Sequence, residues 1–139
     1  MATDPRQVRD ILTSAKRIAI VGLSPKPDRP SHGVAQYLQR AGYRIVPVRP
    51  EPEGTILGEP IVPDLAAAAR SGPIDIVDIF RRSSAIPDLV DAILAVRPRL
   101  VWMQQGVVHE AAAVRIEAAG IPVVMDHCLA VEHHLMVGG

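Results

Sequence analysis

The residues with the most chemistry in this sequence lie in VGLSPKPDRPSHGV, positions 21–34. Gly22 allows a sharp turn after the apolar run RIAI, Ser24 and Ser31 add hydroxyl donors, and Lys26 and Arg29 add positive charge. A helix starting near Ser31 would also aim its unpaired N–H groups back at the loop, which suits a phosphate. The loop therefore reads as an anion cradle built from side chains. A dinucleotide fingerprint would place glycines where this chain has Ser24 and Pro27, so that a pyrophosphate could approach the backbone. That signature is absent, and the prolines stiffen a longer loop that can rise beside a ligand. A rigid turn with no ligand is the plain alternative.

The ends of later apolar runs add to the case. Arg49, in VPVRP, stands where NAD enzymes carry the Asp or Glu that binds the adenosine ribose. A guanidinium there favours a phosphate on that ribose, a demand met by coenzyme A through its 3′-phosphate and by NADP through its 2′-phosphate. In DIFRR, Phe80 falls where a base or a pantetheine arm would cross a sheet edge, and Arg81 and Arg82 follow at a place suited to phosphate. Ile86 and Val90 have the spacing either of an adenine wall or of an ordinary core face. Gln104, in WMQQG, offers an amide beside the apolar Trp102 and Met103. Core packing for Phe80 and a solvated side chain for Arg49 are the competing readings.

The cluster MDHCLAVEHH brings together Asp126, His127, Cys128, Glu132, His133 and His134. It has no Cys-x-x-Cys or His-Glu-x-x-His frame, and adjacent His127 and Cys128 would diverge, so no metal site is expected. Cys128 would need His127 or His133 as a base to act as a nucleophile; a buried, inert thiol is the default. No carboxylate pair or Ser-His-Asp order stands out, and Asp78 reads as a buried hydrogen-bonding residue. The expectation is a binding protein without a catalytic constellation.

These residues need elements to hold them. Five β-branched runs, 17–22, 43–48, 74–80, 99–104 and 121–126, alternate with segments of helical spacing, among them HGVAQYLQRAG, SAIPDLVDAILAV and VVHEAAAVRIEAAG. Nearly continuous apolar strands separated by helices predict an α/β fold, a doubly wound parallel five-stranded sheet with helices on both faces. A helix from about Asp4 to Ala15 precedes the first strand. Ser31 and Ser83 or Ser84 are expected to cap helices, Gly42 and Gly120 to end them, and Pro87 to sit in a first turn. The Pro- and Gly-rich stretch 49–65 predicts an irregular excursion followed by a short helix from Leu65 to Arg70.

With 139 residues the chain suits one domain, residues 1–139, with a sizeable core. Its formal net charge is zero, so no global field favours nucleic acid or an anionic membrane. The single cysteine permits no internal disulfide, and no leader or membrane-length apolar run is read, so a soluble, cytoplasmic chain is expected. Val107, Val108 and the C-terminal apolar residues leave a homodimer open.

Taken in order, IAIVGLSPKPDRPSHGVAQYL, YRIVPVRP, ILGEPIVPDL, DIVDIFRR, VWMQQGVVHEAAA and VVMDHC resemble the stand-alone CoA-binding protein family. That family is similar to the CoA-binding domain of the succinyl-CoA synthetase alpha subunit. The resemblance spans about Lys16 to Glu132 and implies a Rossmann-like fold with coenzyme A, or an acyl-CoA, across the carboxyl edge of the sheet. It implies that Gly22, Ser24, Lys26, Arg29 and Ser31 hold phosphates, with Val48, Arg49 and Pro50 beside the adenosine. Phe80, Arg81 and Ile86 would line the nucleotide side, and Gln104 would approach the pantetheine arm. Two departures are Arg49, where relatives often have Asn, and His127, where they often have Arg. The synthetase's phosphorylated-histidine domain has no counterpart beyond Glu132, so its ligase activity is not implied. A carrier, a sensor or a partner to an acyl-CoA enzyme is the expected role. The alternatives are an NADP-binding oxidoreductase or pyridine-nucleotide sensor, and a subunit interaction module with a vestigial pocket.

Overall fold

The computed structural model of the chain describes residues 3–138. Val8, Ile11 and Leu12 recur at helical spacing and bury one face of α1 (Pro5–Ser14). Asp4 caps it by accepting from the N–H of Arg6, and Pro5 occupies the first position, where a missing donor is harmless. Then come β1 (Arg17–Val21), α2 (Pro30–Arg40) and β2 (Arg44–Val48). The Pro- and Gly-rich stretch makes a small antiparallel hairpin, β3 (Thr55–Ile56) with β4 (Glu59–Pro60), before α3 (Leu65–Arg70). The order continues with β5 (Ile76–Ile79), a 3₁₀ segment (Ser83–Leu89), α4 (Val90–Val96) and β6 (Leu100–Met103). It closes with α5 (Glu110–Ala118), β7 (Val123–Val124) and α6 (Leu129–Met136).

Five strands pair in the order β2-β1-β5-β6-β7, each neighbouring pair parallel. Val21 lies beside both Val48 and Ile79, so three strand ends finish level at one edge. Side chains alternate along each strand and therefore feed two cores. Ala19, Val21, Val77, Ile79, Val101 and Met103 face the α3, α4 and α5 side. Ile18, Ile20, Ile45, Ile76, Leu100 and Trp102 face α1, α2 and α6. Burial on both faces is what makes the strands read as continuous apolar runs. Ile18, Ile20, Ile45 and Ile76 are fully buried, and each contributes about 1.5–3 kcal/mol. The result is the Rossmann-like, doubly wound α/β architecture that the alternation predicts.

Several boundaries differ from the sequence expectation. Ser31 is not the cap of α2: Arg29 holds that position without a side-chain cap bond, and Pro30 opens the helix. Ser83 caps nothing either; its hydroxyl accepts from the N–H of Val108 at 2.9 Å and ties two loops together. Pro87 lies inside the 3₁₀ segment rather than in an α-helical first turn, and α4 begins after it. A proline removes a ladder donor there, and the tighter turn tolerates it before regular helix sets in. The last strand keeps only Val123 and Val124, because Asp126 turns the chain with a positive φ and accepts from the N–H of Gly106 at 2.7 Å. Gly42 and Gly120 follow α2 and α5, as expected, with positive φ.

Candidate functional site

Strand order reverses at β1: the chain leaves it toward β2 on one side and later returns to β5 on the other. Connections leaving β1 and β5 diverge, and such a switch point opens a crevice beyond the carboxyl ends of the strands. A cavity of about 870 Å³ lies there.

Gly22 makes the approach of the two strand ends feasible. Its φ is +85°, and a Cβ built on it would sit 2.2 Å from the carbonyl oxygen of Phe80. The N–H of Gly22 donates to Val48 and that of Phe80 to Val21, at 2.9 and 2.8 Å, so the ladder runs to the lip of the crevice. Beyond Gly22 the loop is held by its own serines. Ser24 donates its N–H to the Ser31 hydroxyl at 3.0 Å, and its own hydroxyl accepts from the N–H of Lys26 at 3.1 Å. Ser31 is buried while Lys26 and Arg29 are exposed, which turns the charges outward over a fixed backbone.

Arg49, past the end of β2, donates through Nη1 to the carbonyl of Leu23 at 3.2 Å and thereby leans onto the same loop. Phe80 is half-buried, with Arg81 beside it; the Arg81 stem passes within 3.1 Å of the Cβ position at Gly22. Gln104 closes the far side. It is buried, its Oε1 accepts from the N–H of Leu129 at 3.1 Å, and its amide nitrogen has no protein partner among the described residues. Gly22, Ser24, Lys26, Arg29, Ser31, Arg49, Pro50, Phe80, Arg81 and Gln104 thus all line one crevice. Two residues named with them do not. Val48 and Ile86 are buried in the core on the α3 and α4 side of the sheet.

Val34, Glu51, Gln105 and Val107, which the sequence reading had not placed there, also line the crevice, together with Pro25, Pro30 and Cys128. Glu51 lies two residues past Arg49, its Oε2 3.7 Å from Nη2 of that arginine. Adjacency in sequence was a signal for Glu51, whereas an apolar residue such as Val34 or Val107 carries no signal of which cavity it lines. Among the described lining residues, four cations face one carboxylate, so the site favours an anion.

Cys128 is half-buried at the start of α6. Among the described residues no hydrogen bond joins Cys128 to His127 or His133. His133 is buried, with Nδ1 2.8 Å from the Tyr37 hydroxyl and its ring edge-on to Tyr37 and Tyr43. Burial, with His134 beside it, holds His133 below its ordinary value of 6.5. His127 uses its carbonyl to accept from Trp102 Nε1 at 2.8 Å, and its side chain is exposed. No group of three His, Cys, Asp or Glu among the described residues could hold a metal ion.

Asp78 is buried as the sequence suggests, but without the expected side-chain hydrogen bond. It lies on β5 between Ile20 and Trp102, is fully buried, and neither carboxylate oxygen has a partner among the described residues. Burial raises its pKa well above the ordinary 3.8, outweighing the lowering pull of the Ile79 backbone N–H, so the group is held toward its neutral form.

A family model described as a CoA binding domain matches residues 16–134. The chain belongs to the CoA-binding domain family. A curated Bacillus subtilis (strain 168) relative described as uncharacterized protein YneT is 42% identical over 127 residues, covering 91% of this chain and 92% of its own. Among solved structures, cell-free ID.343 from Thermus thermophilus superposes with a TM-score of 0.90 at 41% identity, covering 96% of this chain and 99% of that one. A hypothetical protein from Pyrococcus horikoshii OT3 gives a TM-score of 0.89 at 30% identity, over 99% of this chain and 94% of the other. Membership of the CoA-binding domain family supports a CoA-type ligand in general, and no helix among the described residues is long and apolar enough to cross a membrane.

Proposed function

We propose that the chain, as one domain, binds coenzyme A or an acyl-CoA without transforming it, with the pyrophosphate in the loop after β1. The observation that supports this most is the convergence of Ser24, Lys26, Arg29, Arg49 and Arg81 at the switch point in a chain of the CoA-binding domain family. The serine-built loop supplies donors where a dinucleotide fold would use bare glycine backbone. Arg49 takes the 3′-phosphate, Phe80 packs against the adenosine, and Gln104 presents its amide nitrogen to a pantetheine carbonyl. A cavity of about 870 Å³ is large enough for a cofactor of this size. The role that fits is a cytoplasmic carrier or sensor, or a partner to an acyl-CoA enzyme.

The test is to purify the protein without added ligand, denature it, identify any released small molecule by mass spectrometry, and then titrate CoA and NADP calorimetrically. Released CoA, or selective binding of CoA, is the expected result. Selective binding of NADP would instead favour the pyridine-nucleotide reading that Arg49 also permits, and binding of neither would reject both.

A further inference from the structure

The Arg49 guanidinium has partners within the chain. Nη1 donates to the Leu23 carbonyl at 3.2 Å, and Nη2 lies 3.7 Å from Glu51 Oε2. The backbone beneath it is pinned as well: Arg49 donates its N–H to Val62, and Val62 donates to Pro47, each at 3.0 Å. The two partners differ in freedom. The Arg49 side chain is 27% exposed, whereas that of Glu51 is 73% exposed and sits in the Pro-rich stretch PEPEG. One partner is therefore held over the crevice and the other can leave. Glu51 is also the one carboxylate among the described lining residues.

We propose that Glu51 sets the affinity of this site for a phosphomonoester on an adenosine ribose, by occupying Arg49 until that phosphate displaces it. The inference rests on the nucleotide reading of the crevice. A carboxylate and a phosphomonoester both fit the guanidinium fork, but the phosphate carries nearly twice the charge at neutral pH. Exchange thus runs toward the ligand. It is opposed by loss of the Glu51 pair and by the nearby carboxylate that remains. A ligand lacking the phosphate leaves the pair intact and feels neither effect. Glu51 thereby decides how much the terminal phosphate contributes to binding and keeps a charge-rich site reversible.

The experiment compares CoA with 3′-dephospho-CoA, and NADP with NAD, by calorimetric titration at low salt against wild type, Glu51→Gln, Glu53→Gln and Arg49→Ala. Glu51 and Glu53 are exposed, so both glutamine variants keep the fold, and Glu53 removes the same charge from the same stretch without an Arg49 contact. Glu51→Gln is expected to tighten the phosphate-bearing member of the binding pair about threefold to fivefold and leave its dephosphorylated partner unchanged. Glu53→Gln changes neither, and Glu51→Gln adds nothing in the Arg49→Ala background. The ligand pair that responds tells a 3′- from a 2′-phosphate. Equal tightening of both members, an equal effect from Glu53→Gln, or no effect of Glu51→Gln would each overturn the proposal while CoA or NADP binding stands. Failure of wild type to bind any of the four ligands would reject the nucleotide reading itself, and this proposal with it.

Discussion

Gly22 shows how closely the crevice depends on single residues. Its φ of +85° suits glycine, and the 2.2 Å approach to the Phe80 carbonyl leaves no room for a methyl group. Gly22→Ala is expected to lower stability by about 2–4 kcal/mol, from left-handed strain plus displaced backbone, and to weaken CoA binding as the two strand ends move apart. Gly33, in α2, has open space around its Cβ position and an ordinary helical backbone. Gly33→Ala should therefore raise stability by about 0.4–1 kcal/mol. Urea midpoints of the two variants check both signs. A tolerated Gly22→Ala would mean that the loop, not the ladder, sets the crevice.

At the level of elements, two helix starts behave differently. α5 is capped in the usual way, His109 Nδ1 accepting from the N–H of Ala112 at 3.1 Å. α2 begins at an uncapped Arg29, and its buried Ser31 hydroxyl holds the N–H of Ser24 instead. The serine pattern was legible in the sequence, but its partner was not, because a hydroxyl near a helix start can serve the helix or the loop folded over it. Ser31→Ala should thus weaken CoA binding by about 1 kcal/mol, with less effect on folding. His109→Ala should cost about 1 kcal/mol of stability and leave binding alone. Titration calorimetry paired with denaturation separates the two. Equal binding losses would assign Ser31 no special hold on the loop.

Across the whole molecule, Asp78 places an unpartnered acid in the middle of an otherwise apolar layer. Its folded-state pKa is raised by burial, so the folded state keeps a proton that the unfolded chain releases above 3.8. The unfolded state then binds fewer protons, and stability falls as pH rises from that value toward the raised folded one. Asp78→Asn removes the titration with little change of shape. Its stability relative to wild type should accordingly improve between about pH 4 and about pH 8, read from urea unfolding at the two ends. A difference that does not change with pH would show that Asp78 ionises in the folded protein as readily as in the unfolded chain.

Local pattern alone determined the fold class of this protein. Apolar runs such as IDIVDIF report burial on both faces whatever lies next to them, and helical spacing between them leaves a covered parallel sheet as the fit. The same reading marked the loop serines and the arginines at strand ends, since charge just past an apolar run must lie at an edge. Only the tertiary structure decided which edges meet. Strand order put Arg49, Phe80 and Gln104 around one crevice, sent Val48 and Ile86 into the core, and brought in Glu51. Periodicity records that a side chain is buried or exposed, but not which distant strand lies beside it; that choice belongs to the packing of the whole chain.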